Sequence, residues 1–106
     1  MEPIERILER FEQISSVPRG TKHEQKISAW LQEWAMEFRC STQTDSAGNL
    51  VIQVPASVGH EDRATVVLQG HMDMVCEKTS DSTHDFLRDP IRIIRDGDWL
   101  LTADQC

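Results

Sequence analysis

Apolar residues recur at helical spacing through the first third of the chain, and that pattern stops after Arg39. Ile4, Ile7, Leu8, Phe11 and Ile14 fall on one face of a helix, and Pro3 suits its first turn. Ser15-Ser16-Val17-Pro18-Arg19-Gly20 ends this segment as a loop. Thr21-Lys22-His23-Glu24 has the form of a capping box: the threonine oxygen accepts from the amide of residue 24 and the glutamate reaches back. A second helix is predicted to follow, with Ile27, Trp30, Leu31, Trp34, Ala35 and Phe38 as its buried stripe.

Beyond Arg39 the signals are those of strands and turns. Ser41–Asp45 reads as a short strand, Ser46-Ala47-Gly48-Asn49 as a turn, and Leu50–Val54 as a second strand ended by Pro55. Ser57–Arg63 is polar and reads as a loop. Ala64–Gln69 is the most apolar strand candidate and is expected inside a sheet. Lys78–Asp85 is polar and expected to be exposed. Ile91–Arg95 and Trp99–Thr102 read as two strands around the tight turn Asp96-Gly97-Asp98. Two helices followed by several strands, one of them a buried run, define an α/β class.

At 106 residues the chain is one domain or a piece of one. A net charge of -7, with the basic residues scattered among acids, argues against a nucleic-acid partner, which needs clustered Lys and Arg. No apolar run approaches the length of a membrane span, and the amphipathic start MEPIERILER lacks the pattern of a signal peptide. Three cysteines, Cys40, Cys76 and Cys106, have an odd count and no CxxC spacing, which disfavours a disulfide framework. The expected location is the cytoplasm.

The chemistry concentrates in Gly70-His71-Met72-Asp73-Met74-Val75-Cys76-Glu77-Lys78. On an extended segment, side chains two apart share a face roughly 6 to 7 Å apart, so His71 and Asp73 lie together while Met72 and Met74 point away. The carboxyl end of a strand is where α/β sheets hold their ligands. A neutral imidazole is a good zinc ligand, and a neighbouring carboxylate orients it and raises its basicity. By itself the pattern is weak, since about one scrambled chain in three with this composition holds a His-x-Asp pair. A zinc site also needs three or four ligands. His23, His60 and His84 read as solvated surface residues. Cys76 reads as a small buried residue more readily than as a soft ligand. Glu77 serves as a general base only if substrate comes within hydrogen-bond reach. Trp30 and Trp34 read as core, and Asp81, Asp85 and Asp89 lack calcium-loop spacing and read as a solvated loop.

The stretch Gly70–Lys78 resembles the first metal motif of the aminoacyl-histidine dipeptidases, or cytosol nonspecific dipeptidases. These belong to a larger group of two-zinc peptidases that shares only the shorter form Gly-His-x-Asp. Phe11–Arg19 with Lys22-His23-Glu24 resembles the family's opening, and Gly48–Ile52 its first strand pair. Asp85-Phe86 with Asp89-Pro90-Ile91 resembles the loop after the metal motif, and Trp99–Asp104 the stretch leading to the next ligand. The resemblance implies that residues 1–106 are the N-terminal part of an α/β peptidase catalytic domain, two helices followed by strands of a mixed sheet. It further implies that the domain is incomplete here and that the inserted lid and dimerisation domain is absent. It implies two zinc ions in the complete enzyme, with His71 as a ligand and Asp73 as the catalytic carboxylate that holds the imidazole in the right tautomer. The implied substrate is a dipeptide of the Xaa-His kind, and the full-length form admits a homodimer. The family's bridging aspartate stands in a Gly-Ala-Asp-Asn-Gly context that Thr102-Ala103-Asp104-Gln105-Cys106 does not reproduce, so Asp104 is not assigned as a ligand.

Three functional classes follow. The first is a zinc dipeptidase whose hydrolysis the isolated 106 residues do not retain, because one histidine cannot hold a two-metal centre. The second is a non-catalytic truncated product or small interaction module, whose uncovered sheet edges and apolar surface favour association. The third, the weakest, is a free-standing single-zinc domain.

Overall fold

Glu2 is extended ahead of Pro3, whose fixed φ starts α1 (Pro3–Ser15) without any side-chain cap. The helix ends at Ser16, whose hydroxyl donates to the Gln13 carbonyl at 2.6 Å. The computed structural model describes residues 1–106. The second helix, α2 (Gln25–Glu37), buries Ile27 and Ala35 fully, with Trp30, Leu31 and Trp34 half-buried beside them. Phe38, the last member of the expected stripe, is exposed and leans on Trp34 at 4.7 Å between ring centroids.

The capping box does not form. Thr21 lies four positions before the first residue of α2, and Glu24 occupies the N-cap with no side-chain cap bond. Its carboxylate instead accepts from the Lys22 amide at 2.8 Å. The reason lies across the fold: the segment around Gly20 pairs with Met74 in a parallel bridge, which draws Thr21 away from the helix end.

Two antiparallel hairpins follow. Strands β1 (Ser41–Thr44) and β2 (Leu50–Gln53) pair with Thr44 opposite Leu50, and β3 (Ile93–Asp96) and β4 (Trp99–Thr102) pair with Asp96 opposite Trp99. The first turn is organised by Asp45. One carboxylate oxygen accepts from the amides of Ala47 and Asn49 at 3.0 and 2.9 Å, the other from the Asn49 side chain at 2.8 Å. The second is a two-residue turn with Gly97 at φ 59°, a conformation glycine adopts without steric cost. Pairing between the strands is antiparallel throughout, and the Gly20–Met74 bridge is the parallel contact of the fold. The hairpin β3–β4 is tied to α1 by Arg95, whose guanidinium donates to both Glu5 oxygens at 3.1 and 3.2 Å, and by the Ile91 amide on the Ser15 carbonyl at 3.0 Å.

Ala64–Gln69 departs from expectation. It is neither paired as a strand nor buried: Val66 and Val67 are 81% exposed and Leu68 is 95% exposed. An apolar run becomes an interior strand only when ladder partners lie on both sides, and neither hairpin pairs with it. The same shortage shows in the whole. Five residues are buried, and the accessible surface is 8893 Å². A folded monomer of 12.1 kDa has about 6,000 Å². The radius of gyration is 16.4 Å, where about 13 Å is usual for this length. No helix is long and apolar enough to cross a membrane.

Candidate functional site

The loop between α1 and α2 holds the segment that carries His71 and Asp73. The Met74 amide donates to the Arg19 carbonyl at 2.8 Å, and the Thr21 amide donates to the Met74 carbonyl at 3.2 Å. The Arg19 guanidinium adds a bond to the Met72 carbonyl at 3.2 Å. Gly20 sits at the centre of this clamp and is buried. A Cβ there would stand 2.7 Å from the Cys76 sulfur, so the absence of a side chain sets how closely the two segments approach.

Held in this way, His71 and Asp73 face each other. The His71 Nδ1 lies 2.9 Å from Asp73 Oδ1, with the imidazole 81% exposed and the carboxylate 27% exposed. The other carboxylate oxygen, Oδ2, accepts the Thr21 hydroxyl at 2.7 Å. The Thr21 bond and then the His71 bond hold the Asp73 carboxyl below its ordinary range, against an opposing effect of desolvation, with a lesser contribution from the charge of His71. An ionised carboxylate only accepts, so the hydrogen between the two residues sits on Nδ1. In the neutral imidazole that leaves the Nε2 lone pair free and directed away from Asp73. This is the arrangement in which a carboxylate orients a histidine for a metal. Arg19, close enough to Asp73 to be favoured by its charge, is shifted down by burial, and its Nε is buried without a partner.

The donor set fits one corner of a metal centre and no more. No group of three or more His, Cys, Asp or Glu side chains converges anywhere in the chain. Both oxygens of Asp73 already accept a hydrogen bond, which suits an orienting carboxylate. Glu77 is exposed. Asp104 is engaged with Arg92, accepting from Nε at 3.1 Å and from the terminal nitrogen as well.

The remaining candidates separate. His23 and His60 are exposed, as their polar surroundings suggest. His84 is not: it is 4% exposed, with its ring edge-on to Phe86 at 4.7 Å and Lys78 reaching over to its carbonyl at 2.7 Å. The segment expected to be solvated thus turns this residue inward, because Ser82 fastens it to the Asp104 carbonyl at 2.6 Å and Thr79 to Gln105 at 2.9 Å. Cys76, read as a small buried residue, is exposed and stands over Gly20. Trp30 and Trp34 are half-buried in the helix packing. Asp81, Asp85 and Asp89 are exposed, and the latter two cap a local turn through the amides of Leu87 and Asp85. Thr21 is the site residue that the sequence reading missed.

No protein-family model matches the chain. It is 41% identical over 90 residues to the cytosol non-specific dipeptidase of Escherichia coli (strain K12), a match that takes in 85% of this chain and 19% of the relative. Its fold superposes on the crystal structure of the aminoacylhistidine dipeptidase from Vibrio alginolyticus with a TM-score of 0.83 and 39% identity, over 89% of this chain and 19% of that one. Two helices followed by short antiparallel strands, with a histidine–carboxylate pair on the segment between the two hairpins, thus match part of a peptidase structure. The chain is a homologue of the cytosol non-specific, or aminoacylhistidine, dipeptidases and corresponds to their N-terminal part. It spans about a fifth of the length of these relatives.

Proposed function

We propose that residues 1–106 are the N-terminal part of the catalytic domain of a zinc dipeptidase, that His71 is a zinc ligand through Nε2, and that Asp73 is the carboxylate that fixes its tautomer. The observation that carries the reading is the 2.9 Å contact between His71 Nδ1 and Asp73 Oδ1, on the exposed segment that follows Gly70. Support comes also from the two similar proteins, both dipeptidases. The substrate class is a dipeptide of the Xaa-His kind.

Bound zinc supplies polarisation of the scissile carbonyl and a water of lowered pKa. This chain's residues contribute earlier in the sequence of events. Asp73 keeps a proton on Nδ1 and so leaves Nε2 as the nitrogen that carries the lone pair in the neutral ring. The Arg19–Thr21 clamp fixes the register of the segment through two backbone hydrogen bonds. Four-coordinate zinc needs further ligands that these 106 residues do not bring together.

The test is hydrolysis of an Xaa-His dipeptide by the full natural polypeptide that carries these residues, before and after zinc is stripped and restored. Zinc-dependent cleavage that is lost in His71→Ala is the expected result. Cleavage that ignores zinc removal, or that survives in His71→Ala, overturns the reading. The 106 residues alone are expected to give no appreciable turnover.

A further inference from the structure

Thr21 stands 52 positions before Asp73 in sequence, and its hydroxyl lies 2.7 Å from Asp73 Oδ2. The same hydroxyl is 3.3 Å from the Met74 carbonyl. A hydroxyl has one hydrogen to give, and the shorter, charge-assisted contact takes it. Attachment of the loop does not depend on this bond. The backbone already fixes the register of Arg19–Thr21 against Met74 through two amide–carbonyl bonds, at 2.8 and 3.2 Å. What the side chain adds is a second anchor on the carboxylate. With Oδ1 on the imidazole and Oδ2 on Thr21, rotation of the carboxylate about its Cβ–Cγ bond breaks both contacts at once.

We propose that Thr21 is a positioning residue: its hydroxyl locks the Asp73 carboxylate, and the locked carboxylate locks the His71 imidazole with Nε2 facing outward. The role rests on the reading of His71 as a zinc ligand. Partners one step removed from a metal tune its affinity by about 10- to 100-fold. Thr21 acts one step further out and is exposed, so the lower end of that range applies.

The experiment is zinc affinity by chelator competition in the full natural polypeptide, comparing the unaltered protein with Thr21→Val, Thr21→Ser and His71→Ala, alongside the thermal melt of each metal-free form. Thr21→Val, isosteric but without a hydroxyl, is expected to weaken zinc about tenfold. Thr21→Ser should stay within about threefold of the unaltered protein, and the metal-free melts should coincide. Equal affinity in Thr21→Val and the unaltered protein, with His71→Ala still losing zinc, overturns the Thr21 role and leaves the ligand reading standing. Loss in both Thr21 variants, accompanied by lower melts, assigns Thr21 to loop packing and equally overturns the role. Unchanged affinity in His71→Ala removes the ligand reading and the Thr21 role with it.

Discussion

His71 and Asp73 face each other across 2.9 Å, imidazole Nδ1 to carboxylate Oδ1, on a segment that makes no strand pairing of its own beyond the single bridge at Met74. Their geometry therefore comes from outside the segment, from the loop between the two helices. Residues 19–21 set the backbone, and Thr21 and Arg19 add side-chain bonds to Asp73 and Met72. Five predictions can be measured, besides the Thr21 test.

Removing the orienting carboxylate should weaken the metal without unfolding the protein. Asp73→Ala in the full natural polypeptide is expected to lower zinc affinity by about 10- to 100-fold. Chelator competition reads this directly, and affinity within twofold of the unaltered protein would contradict the orienting role.

Gly20 and Cys76 should be coupled. Gly20→Ala places a Cβ 2.7 Å from the cysteine sulfur and forces either a new Cys76 rotamer or a wider gap at the Met74 bridge. Overpacking of this kind costs about 1–3 kcal/mol. Adding Cys76→Ala should recover most of the loss, giving a double-mutant cycle with a coupling of at least about 0.5 kcal/mol. Simple additivity of the two changes would mean that the segments do not approach as described.

How much of this arrangement was legible in the sequence depended on the range of the interaction. The hairpin at Gly97 and the proximity of His71 to Asp73 are local; turn chemistry reveals the first, whereas the second comes from a bend at Met72 and not from the period of a strand. Thr21 looked like a cap because Glu24 stands three residues on, yet its hydroxyl is committed to a carboxylate 52 positions away, which no local pattern announces. Ala64–Gln69 reads as an interior strand from its composition, whereas burial is conferred by neighbours, and here none flank it. His84 misled in the opposite sense. Its polar surroundings suggest solvent, but the hydroxyls and amides of those neighbours bind Asp104 and Gln105 and fold the loop over the ring.

The Arg92–Asp104 pair should give a visible titration. The Arg92 bond, then its charge and that of His84, hold the Asp104 carboxyl below the ordinary range. A group whose folded-state pKa is depressed contributes stability above its unfolded pKa, about 3.9 for Asp, and loses it as pH falls through the lower folded value. The contribution is therefore full at neutral pH and fades only below about pH 4. Arg92→Gln should raise the Asp104 midpoint, followed by the carboxyl carbon shift in NMR. An unmoved midpoint would show that the pair does not persist in solution.

The 106-residue chain alone should self-associate. Leu68, Val66 and Val67 are exposed on an unpaired segment, and Ile4, Ile7 and Trp99 add apolar surface elsewhere. Light scattering across a concentration series should show growth above the monomer mass, and Val67→Lys with Leu68→Lys should shift the distribution back toward it. A monomer at every concentration would contradict this expectation.

The central claim is that His71 is a zinc ligand through Nε2 while Asp73 holds Nδ1. Anomalous diffraction at the zinc edge from crystals of the full natural polypeptide tests it most directly. The account predicts zinc at about 2.0–2.1 Å from His71 Nε2, with the Asp73 carboxylate still on Nδ1 and Thr21 still on Asp73. Zinc bound through Nδ1 with Asp73 displaced, or zinc held at a site that leaves His71 unliganded, would contradict it.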